Sequence, residues 1–348
     1  MGISIISGVL SSLESSGSRT SQQNGPMRNV NKWESHTPGT STPALHTPKA
    51  ESPSGTHSLL RSIEDPAIPT RFLACVNRDA TAKKLENVFS SLGPLGQCVE
   101  IYQRSNVEAA KQADVILLWE DNHLWARSCK PQLAHVILNE EGMKEVLENK
   151  LVISILAGVT ISQMEAWVSP STRLVRAMPN TPCKVQYPPC GSTIKHIREG
   201  MTVITPLTSS DAVDSDLEQK IILNIFSSIG RCRFLEEKHF DACTALSGSG
   251  PAFACVFLEA IADGGVMMGL PRAEALELAA QTLQGAARMV LQDGTHPAQI
   301  KDAVTTPGGC TIAGLLALED GRVRSTIARA IQVATERASV LGQPTKKA

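Results

Sequence analysis

The sequence predicts an α/β fold: a doubly wound parallel sheet followed by an all-helical domain. Two observations carry this. Short apolar runs of strand length (Phe72–Val76, Asp114–Leu118, Leu151–Leu156) alternate with helical stretches, the pattern of strands buried on both faces with crossover helices between them. From residue 238 to 342 the strand-like runs stop and only long helical patterns remain. The boundary is therefore placed near Glu236, giving a sheet domain over 1–236, a helical domain over 237–342 and a tail over 343–348. A chain of 348 residues has room for two ordinary domains.

The elements follow in order. Residues 3–14 read as a short helix with small residues at Gly8 and Ser12. Residues 15–70 read as a disordered insertion. Ser, Thr, Pro and Gly make up 28 of these 56 residues and the apolar residues have no period, so the tract cannot bury enough to offset its ordering entropy. Phe72–Val76 is a strand, followed by a helix to about Leu92, a strand at Gln97–Tyr102, a helix at Asn106–Ala113 and a strand at 114–118. A single helix is expected over Gln132–Asn149, then the strand Leu151–Leu156 closed by Ala157-Gly158. Gln163–Val168 is helical and Thr172–Arg176 a strand. Met201–Thr205 and Arg231–Leu235 are strands flanking a helix over Asp211–Ile229, with Asp211 as N-cap. Ser247-Gly-Ser-Gly-Pro251 opens a helix to Met268 lined with small residues that permit close helix contact. Gly-Leu-Pro271 starts another to Val290, and a further helix follows His296.

Composition narrows the function. The net charge of −1 gives no reason to expect nucleic acid or an anionic membrane surface as partner. No apolar run of membrane-spanning length is expected, and the apolar N-terminus lacks the basic residues of a signal peptide. Nine single cysteines without a C-x-x-C pair point to a reduced, cytoplasmic chain. His239 and Cys243, one helical turn apart, read as structural, and no metal site is expected.

The stretch Lys301–Asp320 reads as a turn feeding a helix: Pro307, Gly308 and Gly309 make the turn, and Cys310 and Thr311 open the helix. The free N–H groups there suit a small carboxylate or phosphate, with the Thr311 hydroxyl beside them. On motif grounds alone an ordinary capped helix reads equally well. Asn77-Arg78, closing a strand, reads most simply as an exposed basic residue at a turn; it also suits the 2′-phosphate of NADP(H), whereas an acid there would favour the free hydroxyl of NAD(H). No G-x-G-x-x-G motif lies between a strand and a helix.

Five motifs occur in order: Ala-Gly-Val-Thr-Ile (157–161), Met-Pro-Asn-Thr-Pro (178–182), Leu-Ser-Gly-Ser-Gly-Pro-Ala (246–252), Asp-Gly-Gly-Val-Met-Met-Gly-Leu-Pro (263–271) and Thr-Thr-Pro-Gly-Gly-Cys-Thr-Ile (305–312). Through them the chain resembles the pyrroline-5-carboxylate reductase family from about residue 70 to 342. The resemblance implies a Rossmann-type domain followed by a helical dimerisation and substrate-binding domain, assembled as a homodimer or a ring of dimers. The implied reaction is reduction of Δ1-pyrroline-5-carboxylate to L-proline with NADPH, NADH being the alternative. The implied catalytic residue is Thr311, and the implied substrate-binding residues are Glu237, Thr306, Gly309, Cys310 and Thr311. The implied cofactor contacts are Gly2, Asn77, Arg78, Asn106, Cys129, Lys130, Pro131, Ile155, Leu156, Ala157, Asn180 and Thr181.

The chain departs from the family pattern in several places. Met1-Gly2-Ile3 matches only the end of the family's glycine loop, so the strand and two phosphate-facing glycines before it have no counterpart. Residues 120–128 and 185–196 interrupt two loops beside the cofactor, and Ala303 replaces a polar amide. The short insertions are expected to be unspliced intron sequence, with the start assigned too late; a full-length transcript that begins at Met1 and keeps both insertions would sink this hypothesis. A catalytically silent oligomer subunit is the alternative reading. A 3-hydroxyacid dehydrogenase relative is disfavoured, since Ser247 and Thr311 stand where that group has a catalytic lysine.

Overall fold

The computed structural model describes residues 2–18, 65–92, 94, 96–119, 132–183, 185–186, 195–196, 198–207 and 212–341. Most of the expected 15–70 insertion, the 120–128 insertion, the N-cap Asp211 and the 343–348 tail lie outside them. The chain opens with α1 (Gly2–Ser18) and continues through β1 (Phe72–Val76), α2 (Asp79–Ser90), β2 (Val99–Gln103), α3 (Asn106–Gln112) and β3 (Val115–Leu118). Next come α4 (Gln132–Leu138), α5 (Met143–Val146), β4 (Leu151–Ser154), α6 (Ile161–Glu165) and β5 (Arg173–Pro179). They are followed by β6 (Val185–Gln186), β7 (Lys195–His196), β8 (Gly200–Ile204), α7 (Ala212–Ser227) and β9 (Gly230–Phe234). The rest is helical: α8 (Phe240–Cys243) running into a π-turn at Thr244–Gly248, then α9 (Gly250–Met267), α10 (Arg272–Asp293), α11 (Pro297–Ala303), α12 (Cys310–Asp320) and α13 (Val323–Leu341).

Strands β3, β4, β5, β8 and β9 form one sheet in that order. Every pair is parallel except β5–β8, which is antiparallel. The expected doubly wound parallel sheet is therefore present, with one antiparallel pair within it. A parallel return needs a long crossover, usually helical. The β5–β8 connection holds instead a 3₁₀ turn, Thr181–Cys183, and the antiparallel β6–β7 ladder. That ladder marks both ends of the expected 185–196 insertion. The single helix expected over 132–149 is two, α4 and α5, because Gly142 adopts a left-handed conformation (φ 82°) between them.

Side-chain alternation along the central strands builds two cores. Leu151 and Ile153 of β4 join Val175 and Ala177 of β5 in one cluster with Ile5, Leu10 and Phe226 from α1 and α7. Val152 and Leu174 point the other way, against Leu138, Leu147 and Met164. All four residues of β4 are buried, as a strand covered by helices on both faces requires. The edge strand β9 is less covered. Even so, burial pushes the thiol of its Cys232 up to about 11, against a smaller opposing hydrogen bond from Ser227. Only the thiolate alkylates. Cys232 is therefore expected to react slowly with iodoacetamide at pH 8 and progressively faster up to about pH 11, followed by peptide mass spectrometry; a rate that levels off near pH 9 rejects this.

The β1–β2 pair is parallel, with Phe72 opposite Val99. Among the described residues it forms no ladder with β3. A cavity of about 590 Å³ lies between them, lined by Ile6 and Val9 of α1, Phe72 of β1, and Val115 and Leu117 of β3. Among the described residues the strands thus form two separate sheets, with a slot between β1 and β3.

The chain divides into two compact units, one reaching to Gly248 and including the end of the chain from Ala334, the other holding Ser249–Val333. The division lies beyond the Glu236 boundary because Asn180 and Met178 bond to the segment after α8. In the second unit α9 packs on α10, with Gly265 against Ala275, where an added Cβ would lie 3.2 Å from the Ala275 Cβ. Within Glu237–Met267 an 18-residue stretch is, by length and composition alone, apolar enough to cross a membrane. This corrects the expectation that no such run exists.

Candidate active site

Asn77 and Arg78, Ile155–Ala157, and Asn180 and Thr181 follow the carboxyl ends of β1, β4 and β5, the side on which ligands of open α/β sheets bind. Asn77 and Arg78 follow β1 directly and are exposed. Arg104, unforeseen from the sequence, follows β2 in a left-handed conformation (φ 53°). Its Nε donates to the Asn77 carbonyl at 3.2 Å and its guanidinium lies 3.7 Å from Asp79. Arg78 thus follows β1 directly, and the Arg104 guanidinium reaches across to the backbone at the end of the same strand. A basic residue directly after an apolar strand was the signal that could have found Arg104. Asn106 opens α3, with Nδ2 donating to Glu140 Oε2 at 3.0 Å. Ile155, Leu156 and Ala157 form the turn after β4. Cys129, Lys130 and Pro131 lie outside the described residues.

Gly2, expected among the cofactor contacts, opens α1. It is buried, and the Trp119 ring packs where its side chain would project, 2.1 Å from an ideal Cβ. Asn180 is also engaged. Its Nδ2 donates to the Ser247 carbonyl at 3.1 Å and its Oδ1 accepts the Met201 N–H at 2.8 Å. Both ends of the buried amide thus hold the loop after β5 in place, and Thr181, exposed beside it, is what the loop presents.

Glu237 opens a 3₁₀ turn after β9. Its Oε1 accepts two hydrogen bonds, from the Ile161 N–H and from Arg176 Nη1, each at 3.0 Å. Arg176, in β5, is nearly buried and lies 4.9 Å from the Phe240 ring centroid, a cation–π contact. The sequence signal for Arg176 was a charge inside an apolar strand. Ile161 is the first residue of α6, whose N-terminus is closed by a capping box between Thr160 and Gln163.

In the second unit, Thr306-Pro307-Gly308-Gly309 is a type II turn, with Pro at the second position and Gly308 at φ 70° at the third. The Gly309 N–H donates to the Thr306 carbonyl at 3.1 Å. It is therefore engaged by the turn, which corrects its expected part in holding a carboxylate. An ideal Cβ on Gly309 would lie 2.4 Å from Thr306 Oγ1, so the expected ligand Thr306 instead crowds this glycine. Gly309 is the N-cap of α12 and has no side-chain capping bond. Among the described residues no side chain caps the N–H groups of Cys310 and Thr311 with which the helix begins. Cys310 is exposed and Thr311 half-buried. Among the described residues no cluster of His, Cys, Asp or Glu could hold a metal ion.

A doubly wound sheet with its ligand side at the strand ends, followed by a helical unit, is an architecture that nicotinamide-dependent oxidoreductases use. Residues 237–341 match the family described as pyrroline-5-carboxylate reductase dimerisation. The pyrroline-5-carboxylate reductase of Schizosaccharomyces pombe is 46% identical over 278 residues, covering 79% of this chain and 87% of that protein. That of Lophium arboricola is 42% identical over 354 residues, covering 99% and 91%. Among solved structures, the pyrroline-5-carboxylate reductase of Coxiella burnetii superposes with a TM-score of 0.62 at 29% identity, covering 78% of this chain and 88% of that one. The Plasmodium falciparum enzyme with NADP bound gives 0.57 at 27%, covering 78% and 98%. The chain belongs to the pyrroline-5-carboxylate reductase family.

Proposed function

We propose that this chain reduces Δ1-pyrroline-5-carboxylate to L-proline with NADPH as the preferred cofactor. The observation that carries this is the identity of 46% and 42% to reductases so named, over most of both chains. It favours the reductase over the silent-subunit alternative. Arg78 and Arg104 at the end of β1 support the NADPH preference. When bound, the cofactor supplies a hydride to the imine carbon.

The chain's own residues hold and orient the substrate. A cyclic imine protonates near neutral pH, so positioning matters more than a strong acid. The Cys310 and Thr311 amides at the positive end of α12 receive the carboxylate, and the Thr311 hydroxyl accepts the N–H of the protonated ring nitrogen. Glu237 favours the cationic form of the ring. The test is NADPH oxidation, followed by absorbance, on mixing the purified chain with pyrroline-5-carboxylate. Turnover that yields proline is expected; absence of turnover by the folded chain rejects the reading.

We also read the chain as a homodimer or a ring of dimers. Support comes from the dimerisation family over 237–341 and from exposed apolar residues of the second unit, including Val256, Met267 and Leu278 at 62%, 80% and 58% exposure. Such exposure marks an interaction surface. It also accounts for the apolar character of the Glu237–Met267 stretch without a membrane. Val256→Asp is expected to shift the protein toward monomer in analytical ultracentrifugation and to lower activity; an unchanged sedimentation coefficient removes Val256 from the interface. We also place the chain in the cytoplasm, on the ground that its nine cysteines stand singly in the sequence with no C-x-x-C pair.

A further inference from the structure

We infer that Arg176 is a positioning residue that acts through Glu237; this rests on Glu237 acting on the substrate. The geometry around Glu237 is asymmetric. Oε1 takes both the Arg176 guanidinium and the Ile161 N–H at 3.0 Å. Among the described residues Oε2 has no hydrogen-bond partner, and the side chain keeps 28% exposure. One oxygen is thus an anchor and the other is presented.

The anchor is stiff on each side. The Arg176 side chain is only 10% exposed. Its guanidinium lies against Phe240, which is buried and belongs to the helix that follows Glu237. Its backbone N–H donates to Thr205 Oγ1 at 2.9 Å, fixing the arginine in the middle of the sheet. Ile161 starts the helix reached from the Ile155–Ala157 turn, the stretch expected to meet the cofactor. Arg176 and Ile161 therefore tie the carboxylate to the sheet and to the cofactor-side turn at once. A carboxylate held in this way keeps one orientation through turnover, and loss of such positioning costs on the order of 10- to 100-fold in rate.

The experiment is a double-mutant cycle in the full chain, with Arg176→Met, Glu237→Gln and the pair, reading kcat/KM for pyrroline-5-carboxylate and KM for NADPH. Methionine keeps much of the buried stem and removes the donor. Each single variant is expected to lower kcat/KM about tenfold or more, with KM for NADPH within about twofold of wild type, and the double variant is expected to be no worse than Glu237→Gln alone. Losses that multiply in the double variant show that Arg176 acts through general folding and overturn the inference. An Arg176→Met enzyme with wild-type kcat/KM overturns it also, while the parent reading stands on the wild-type activity. A fully active Glu237→Gln removes the role of Glu237, and the inference with it. Arg176→Lys runs the same cycle should Arg176→Met fail to fold, and is expected to fall between wild type and Glu237→Gln; a Lys variant below Glu237→Gln counts against the inference.

Discussion

Gly230→Ala is expected to be the most destabilising single methyl addition in the sheet. Gly230 pairs with Gly200 where β9 meets β8. A Cβ at position 230 would lie 2.0 Å from the Gly200 carbonyl oxygen and 2.5 Å from its carbon. These are backbone atoms of a paired strand and cannot swing away as a side chain could. The opposite member is equally confined, since a Cβ on Gly200 would lie 2.6 Å from the Cys183 Cβ. Overpacking a core costs about 1–3 kcal/mol and more where the backbone must move, so a loss of about 3 kcal/mol or more is expected. For a domain of about 150–250 residues, the size range of the sheet domain, that corresponds to a fall in Tm of roughly 6–12 °C. Differential scanning calorimetry measures it; a Tm within about 2 °C of wild type would mean that β8 and β9 separate at little cost.

Thr311→Ala is expected to have the largest effect on catalysis, lowering kcat/KM for pyrroline-5-carboxylate by about a hundredfold, with little change in oligomer size or Tm. The residue lies in the first turn of α12, where its backbone N–H is one of the helix's orphan donors. Alanine leaves the N–H and the helix intact and removes only the hydroxyl. Thr311→Ser restores the hydroxyl and is expected to recover most of the rate. Steady-state kinetics with both variants decides it: an alanine enzyme with wild-type turnover removes the role assigned to Thr311.

Local features were legible because their causes are local. Pro307-Gly308 dictates a type II turn, and the turn dictates that Cys310 and Thr311 open the helix. The same Pro-Gly pair also implied a bond from the Gly309 N–H back to Thr306, a consequence missed when that amide was assigned to a carboxylate. The seven longer strands were readable from apolar runs, each within a few residues of its observed bounds. The break at Gly142 was readable in principle from a glycine after Asn139-Glu140-Glu141, but the helical period on both sides concealed it. Arg104 and Arg176 were harder, since each gains its meaning from a residue on another strand or loop.

The sequence by itself determined the alternation of strands and helices, the change to an all-helical second half, the turn that opens α12 and, through ordered motifs, the family. All of these depend on residues close together in the chain, where backbone preference and hydrophobic period act directly. Only the tertiary structure decided how side chains are engaged. It aimed Glu237 by pairing it with an arginine 61 residues away, locked both ends of the Asn180 amide, closed Trp119 over Gly2 and left a slot between β1 and β3. The physical reason is that a buried polar group must find a partner wherever the fold brings one, and the identity of that partner is a property of packing rather than of neighbours in sequence.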